Sequence, residues 1–430
     1  MKKVLIISPY FAPVNAADMH RVRTSLPYFK QFGWEAEIVA VQPLYTDIGT
    51  DDLLCTLVPK EVKIHYVRSL DKRITSKIGL GAVALRALPF YRAYVNKLLS
   101  CNKFDLIYFS TTQFPVCVLG PYWLNKFKVP YVIDMQDPWH SNYYQGKPRN
   151  EQPAKYWFSY RLNKFLEPVA MKAVSGLISV SEDYTDQLKN RYPNLQNVPA
   201  ATITFGMYKD DVGVALENSF PSILDKGKIN IVYAGRGGAD MHTAITPVFS
   251  TLSKLLQLQP NKFKNVRLYF IGTSYAPANK GTASFKALAR QYGIEQYVIE
   301  QTNRLSYYHT LNTLSNADAL FIPGSDDSRY TASKIFPYLM VGKPILGLFH
   351  PKSSALKILK DAGINTAYDF DTISEDNITA FINGALNKTS QTIYVNADVL
   401  KEHSAEYKTG LQCQLFEQAI KYANNDLPIF

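Results

Sequence analysis

The stretch KVLIISPYFAPVNAADMHRV, residues 3–22, sets the reading of the whole chain. Val4-Leu5-Ile6-Ile7 is an unbroken aliphatic run, the right length for a strand that is covered on both faces. A proline-containing loop from Ser8 to Asp18 follows, and the stretch Met19 to Phe32 then reads as a helix closed by Gly33. Glu35 to Val41 supplies the next strand. Strand, helix, strand in this order opens a parallel α/β sheet.

Outward from that unit the alternation continues. Leu106–Phe109, Tyr131–Ile133, Leu177–Val180 and Ala201–Thr204 read as strands, with helices over Val116–Phe127, Tyr156–Ala173 and Glu182–Arg191. Between Phe205 and Lys228 the pattern breaks into a polar, turn-rich stretch containing Gly206, Gly213, Pro221 and Gly227. A second series then starts, with strands at Ile229–Ala234, Arg267–Ile271, Ala319–Ile322 and Pro344–Leu348. Its helices fall near Thr243–Leu256, Phe285–Gln291, Ser306–Ser315 and Ser354–Leu359. The 430 residues are too many for one core, so the expected class is α/β, with two Rossmann-like, doubly wound parallel-sheet domains facing a shared cleft. The expected boundaries are 1–205, a linker over 206–228, a second domain over 229–395, and a helical segment over 396–430 that returns to the first domain.

Apolar residues make up 47% and charged residues 19% of the chain, a composition that folds rather than stays disordered. No apolar run approaches the roughly 20 residues needed to span a bilayer, and Val4–Ser8 is too short for a signal-peptide core. The four cysteines, Cys55, Cys101, Cys117 and Cys413, are scattered, which suits a reducing compartment, and a cytoplasmic location is expected. The seven histidines form no metal-ligand spacing, so no metal is expected. The net charge of +11 attracts phosphates, nucleic acid or anionic lipid alike, and nucleic acid is set aside because no binding module accompanies the charge. Between Lys72 and Lys103 seven basic residues and no acidic one alternate with apolar residues. That segment is either a basic amphipathic helix lying on an anionic membrane or a core-facing helix with a solvated basic side.

Three places carry chemistry. Tyr233-Ala234-Gly235-Arg236-Gly237-Gly238 runs a strand into glycines that admit close backbone approach, with Arg236 as a fixed charge; an ordinary glycine turn with a surface arginine has the same pattern. Ser333-Lys334-Ile335-Phe336-Pro337-Tyr338 starts a helix whose first N–H groups and Lys334 would face an anion, or merely solvent. Pro337, tolerated only in a first turn, pins that start. In the first half, Asp134 and Asp137 of the stretch Tyr131 to His140 stand at a strand's carboxyl end, where an Asx turn ahead of Pro138 is the plain alternative. The loop from Pro9 to Asp18 opens on the same side and leads to His20, Arg21 and Arg23.

With these segments in view, the chain resembles the retaining GT-B glycosyltransferases of family 4, in particular the branch that makes bacterial capsular polysaccharides and exopolysaccharides. The opening residues 3–22, FDLIYFSTTQFP, VPYVIDMQDPW, SGLISVSEDYTDQL, ATITFGMYKDD, INIVYAGRGG, VRLYFIGTS, LSNADALFIPG and SKIFPYLMVGKPIL follow that family's elements in order, across nearly the whole chain. The resemblance implies a nucleotide-diphosphate sugar, UDP- or GDP-linked, held by the second domain through Gly235, Arg236, Gly237, Gly272, Ser333, Lys334 and Tyr338. It implies a glycan or polyprenyl-linked acceptor beside Tyr10, Asn15, Arg21, Gln113, Asp137 and His140, at the inner face of a membrane. Arg236 and Lys334 would meet the charge that builds on the leaving phosphate, and Asp137 would orient or deprotonate the acceptor hydroxyl. No metal or other cofactor is implied.

The chain departs from the family at several positions. Pro337 and, eight residues earlier, Arg329 stand where the family carries the paired glutamates of its EX7E motif, and a proline cannot accept the ribose hydroxyls. Gln113 replaces a histidine, and Asn15-Ala16-Ala17 replaces glycines. The departures admit a second reading, a catalytically degenerate chain that serves as a binding or scaffold subunit. A nucleotide-sugar epimerase would require cleft histidines and carboxylates that the sequence does not show.

Overall fold

The computed structural model describes residues 1–142, 145–146, 148–149, 152, 156–274, 276, 279–327, 335–388 and 395–425. The chain divides into two compact units, Met1–Gly206 with His403–Phe430, and Met207–Glu402.

Unit 1 holds seven strands, β1 (Lys2–Ile7), β2 (Trp34–Val41), β3 (Lys63–Val67), β4 (Leu106–Ser110), β5 (Tyr131–Met135), β6 (Gly176–Ser179) and β7 (Ala200–Thr202). They lie in the order β3-β2-β1-β4-β5-β6-β7, and every pairing is parallel. Every residue of β4, β5 and β6 is buried, because helices cover both faces of the sheet. The first helix is shorter than the pattern suggests. It spans Met19–Ser25, and a separate 3-10 turn covers Phe29–Phe32. Pro27 has no N–H to continue the helical ladder, which accounts for the break. Gly33 does cap the turn, at φ 81°, the left-handed conformation that favours glycine.

The helix Val83–Cys101 turns Val83, Ala87, Tyr91, Val95 and Leu99 into the core and leaves Arg92 and Lys97 in solvent. Of the two readings of the basic segment, this helix takes the core-facing one. Its Arg86 is fully covered and donates to the backbone carbonyls of Leu70 at 2.7 Å and Tyr45 at 2.9 Å.

The C-terminal helix Ala405–Asn425 belongs to unit 1. Its Phe416 is buried against Tyr108, Trp34 and Phe29, with ring centroids 5.0, 5.4 and 6.3 Å away, and its Gln412 donates to Ser25 Oγ at 2.9 Å. Lys2 pairs with Glu417 at the surface. The helix begins so close to Gly206 that a Cβ there would stand 2.6 Å from Ala405 Cα, so the approach requires glycine.

Unit 2 holds six strands, β8 (Ile229–Ala234), β9 (Val266–Ile271), β10 (Val298–Gln301), β11 (Ala319–Pro323), β12 (Ile345–Phe349) and β13 (Ala367–Asp369). Their order is β10-β9-β8-β11-β12-β13, again all parallel. Residues 207–228, expected as a linker, are folded into this unit instead. The helix Asp210–Glu217 packs on the helix Tyr307–Ser315, and Asp211 accepts from the hydroxyls of Tyr307 at 2.8 Å and Tyr308 at 2.9 Å. The helix Ala397–Glu402 also falls in unit 2, so the returning segment starts at His403 rather than at 396. Among the described residues no helix is long and apolar enough to cross a membrane.

Removing the aromatic contacts that seat the C-terminal helix should open unit 1. Phe416→Ala is expected to cost about 3–5 kcal/mol, read as a shift of the urea unfolding midpoint, and an unchanged midpoint would show that the helix is dispensable.

Candidate functional site

In each unit the winding of the sheet reverses beside one strand, between β1 and β4 in unit 1 and between β8 and β11 in unit 2. The loops leaving those two strands diverge to opposite faces, which opens a crevice at their carboxyl ends. The sequence candidates sort by these two positions.

In unit 2, β8 delivers Gly235, Arg236, Gly237 and Gly238 to the reversal. The amides of Gly235 and Gly237 do not point to solvent. They donate to the carbonyls of Ile271 at 2.9 Å and Thr273 at 2.7 Å, extending the pairing with β9. A Cβ at Gly237 would lie 3.0 Å from Thr273, so this glycine serves close packing. Arg236 carries the charge of the loop. Its side chain is 23% exposed, and it holds Asp240 through two bonds, Nη1 to Oδ1 at 3.0 Å and Nη2 to Oδ2 at 2.6 Å. From the loop after β11, Ser325 Oγ donates to the same Asp240 Oδ2 at 2.6 Å. The Arg236 hydrogen bonds hold the Asp240 carboxyl below its ordinary pKa, with Ser325 adding to them, so it stays ionised.

Tyr338, expected to touch the nucleotide sugar, is buried. Its hydroxyl accepts from the N–H of Ala234 at 2.8 Å and donates to that residue's carbonyl at 3.0 Å, so it fixes the end of β8 from which the loop departs. Gly272, at the end of β9, takes the left-handed conformation at φ 72° and donates its N–H to Gln301 at 2.8 Å. Ser333 and Lys334 lie outside the described residues, as does Arg329. The described part of the helix begins at Ile335, with Pro337 in its first turn. A cavity of about 620 Å³ in this unit lies elsewhere, at the amino end of β8, among residues such as Phe220, Lys228, Asn312 and Asp318. That is the end of the sheet remote from the Arg236 loop.

In unit 1 the reversal is organised by two buried carboxylates. Asp18 accepts from Thr111 Oγ1 at 3.0 Å, from the Thr112 N–H at 3.0 Å and from Thr112 Oγ1 at 3.1 Å, which ties the loop after β1 to the loop after β4. Burial raises its pKa against those hydrogen bonds. Asp134, at the end of β5, faces Arg21 Nε at 2.6 Å and accepts from Gln136, Ser110 and Tyr108 at 2.8, 3.0 and 3.2 Å. Arg21 is only 2% exposed, and its other nitrogens donate to the carbonyls of Ile203 at 2.7 Å and Thr204 at 3.3 Å. Arg21 was expected beside the acceptor and Asp134 at the open strand end. The pair is a sealed anchor, because each neutralises the other out of reach of water.

Asp137, three residues beyond Asp134, turns outward and is exposed. With Gln113 it lines an open cavity of about 480 Å³ whose walls include Leu85, Phe114, Trp139, Phe158 and Leu162. Desolvation by the cavity wall, and then the nearby Asp18, raise the Asp137 carboxyl above the ordinary range. Tyr10 is nearly buried and its hydroxyl is pushed up to about 12, first by burial and then by Asp18 and Asp47, so it stays protonated. Asn15 is half-buried and donates its N–H to the Gly49 carbonyl at 2.9 Å. His140 does not line the cavity. Its ring packs on Tyr160 at 4.7 Å, and burial lowers its pKa, so it is a neutral packed side chain.

The structure thus brings Gln113 and Asp137 together, takes Arg21 and His140 inside, and leaves Arg236 half open. The sequence reading missed Asp18, Asp240 and Ser325. Asp240 had a signal, an acidic residue four after Arg236. Among the described residues no group of three or more histidine, cysteine, aspartate or glutamate side chains is placed to hold a metal ion.

No protein-family model matches the chain, and no curated protein matches it in sequence. Solved structures do match in fold. A trehalose-phosphate synthase from Burkholderia xenovorans, in complex with glucose-6-phosphate, has a TM-score of 0.54 over 96% of this chain and 99% of its own, at 11% identity. The N-terminal domain of Candida albicans trehalose-6-phosphate phosphatase gives 0.53 over 98% and 96%, at 14% identity. Anabaena HepE, in complex with UDP-glucose, gives 0.52 over 99% and 100%, at 13% identity. The chain has the two-domain α/β fold of these GT-B structures.

The sealed pair makes a stability prediction. Arg21→Met leaves Asp134 charged and unpaired and is expected to cost about 3–5 kcal/mol, whereas Arg21→Met with Asp134→Leu recovers most of the loss. Equal unfolding midpoints for the single and double variants would show that the two side chains do not act as a pair.

Proposed function

We propose that the protein is a glycosyltransferase that moves a sugar from a nucleotide-diphosphate sugar, UDP- or GDP-linked, to a hydroxyl of a glycan or lipid-linked glycan in cell-surface polysaccharide synthesis, as in the capsule and exopolysaccharide branch of family 4. The observation that carries this reading is the half-open Arg236 at the carboxyl end of β8, where unit 2 reverses its winding. That is where an open α/β sheet binds its ligand, and a guanidinium there is suited to a diphosphate. A fold shared with a structure bound to UDP-glucose supports a nucleotide-sugar donor, and one shared with a structure bound to glucose-6-phosphate supports a sugar acceptor.

The chemistry follows from charge. The bond from the anomeric carbon to the leaving phosphate oxygen breaks while the bond to the acceptor oxygen forms, and negative charge collects on the departing diphosphate. Arg236 and Lys334 meet that charge without a metal. Asp240 and Ser325 hold the guanidinium of Arg236 in place, so it is preorganised. On unit 1, Asp137 takes the acceptor hydroxyl, whose proton passes to that carboxylate or to the departing phosphate. Attack of the acceptor oxygen from the face that the phosphate leaves, with the phosphate taking the hydroxyl proton, retains the anomeric configuration. Pro337, in place of a ribose-binding glutamate, favours the second reading, a catalytically degenerate chain that serves as a binding or scaffold subunit.

A thermal-shift screen of UDP, GDP, ADP and dTDP compounds separates the readings. The transferase reading expects one nucleotide diphosphate to raise the midpoint, Arg236→Ala and Lys334→Ala to lose most of that rise, and Asp137→Asn to keep it while transfer falls about 100-fold or more. No rise with any compound would sink the donor assignment and favour the scaffold.

The pH dependence has a defined sign. Asp137 acts ionised, and its pKa is raised, so kcat/KM should climb with pH through a value above the ordinary carboxylate's roughly 3.9. Asp137→Asn should flatten that limb; a limb that persists would assign it to another group.

A further inference from the structure

The helix Tyr156–Met171 has two unlike faces. One lines the cavity with Phe158, Ser159, Leu162 and Asn163 and continues into the core through Ala170 and Met171. The other carries Trp157, Arg161, Lys164, Phe165, Pro168 and Val169, at the spacing of one helical stripe, and all six are exposed. Trp157 is 64% and Phe165 69% exposed. The helix has a single acidic residue, Glu167, which is turned inward and bound by Arg191 and by Tyr192 OH at 2.8 Å. The outward stripe is therefore aromatic and cationic with no acid.

Neighbouring features extend this character. The Arg161 guanidinium lies over the Trp157 ring at 5.6 Å, so the charge sits beside the protruding indole. The turn ending at Gly79 abuts the helix, since a Cβ at Gly79 would come 2.9 Å from Phe158.

We propose that this stripe is the surface by which the protein lies on a bilayer containing anionic phospholipid. An indole and a phenyl ring standing out of a helix face are costly in water and are at home at the level of lipid headgroups. Arg161 and Lys164 flank them at a length that lets their stems lie along the apolar surface while their heads reach phosphate. The positive sign without any acid complements an anionic leaflet, and the chain's net charge of +11 adds attraction at longer range. A protein partner of this chemistry would need its own acidic and apolar groove, and a second copy of the stripe would set cation against cation. The surface stands independently of the transferase reading. If both hold, the helix separates the bilayer from the cavity of Asp137 by its own width.

The chain carries its own reporter. Of its four tryptophans, Trp34, Trp123 and Trp139 are buried and Trp157 alone is exposed. The full-length protein would be mixed with vesicles of phosphatidylcholine alone and of phosphatidylcholine with phosphatidylglycerol, at low and high salt. The expected result is co-sedimentation with the anionic vesicles only, weakened by salt, with a blue shift of tryptophan emission that Trp157→Phe abolishes while binding persists. Arg161→Gln with Lys164→Gln should lower the partition coefficient about thirty-fold, from about a decade and a half for two basic groups at the surface. Trp157→Ala with Phe165→Ala should weaken binding with the thermal midpoint unchanged. Binding that ignores lipid charge, or that both double variants leave intact, would overturn the assignment. So would a dimer in light scattering that Trp157→Ala with Phe165→Ala dissociates, since the stripe would then belong to a second copy. Nucleotide-induced thermal shifts should be the same in all these variants, so failure of the lipid surface and failure of the donor site are read separately.

Discussion

A parallel sheet covered on both faces must send its crossover helices to one side and then to the other, and the strand beside which the direction changes is the one place where no helix closes the sheet's carboxyl edge. Both units of this chain are built around that constraint. β1 and β8 each begin a half that winds outward in one direction, β4 and β11 begin the opposite half, and the polar residues collect in the loops beyond them. Arg236 leaves the sheet from β8 and Gln113 from β4, each at a reversal.

At both reversals the fold places an arginine against an aspartate, and the difference between the two pairs decides what each can do. Arg21 and Asp134 are covered by the loops and by the residues after β7, so their charges cancel inside the protein and fasten β5 to the first helix. Arg236 and Asp240 are bonded as closely but stay partly in solvent, with Ser325 as a third member. A sealed pair contributes to the fold alone, while the second keeps 23% of the Arg236 side chain exposed. The same two residue types are an anchor in unit 1 and a candidate binding group in unit 2.

The helix Tyr156–Met171 joins two environments in unit 1. One side completes the apolar wall of the cavity that holds Gln113 and Asp137, and the other presents tryptophan, phenylalanine, arginine and lysine outward. The basic segment that drew attention in the sequence, by contrast, includes the helix Val83–Cys101, which buries Val83, Ala87, Tyr91, Val95 and Leu99 in the core. The sequence reading named a helix in the first segment and a basic, amphipathic pattern in the second. Which side of each helix meets the core is settled by the packing of the sheet beneath it.

The sequence by itself determined the α/β class, the two sheets and most of their strands, because a central parallel strand needs an uninterrupted apolar run and such runs are visible. It did not show β3, β10 and β13. Each is an edge or near-exposed strand, short and interrupted by charged or polar residues such as Lys63, Glu300 and Asp369, so nothing marks it until a neighbour supplies its hydrogen bonds. The sequence also placed Asp137, Gln113 and Arg236 at strand ends. Only the tertiary structure decided that Arg21 is sealed by Asp134, that Tyr338 clasps Ala234, and that residues 207–228 belong to the second unit. The physical reason is common to all three: a polar side chain's role depends on whether a partner distant in sequence reaches it before water does.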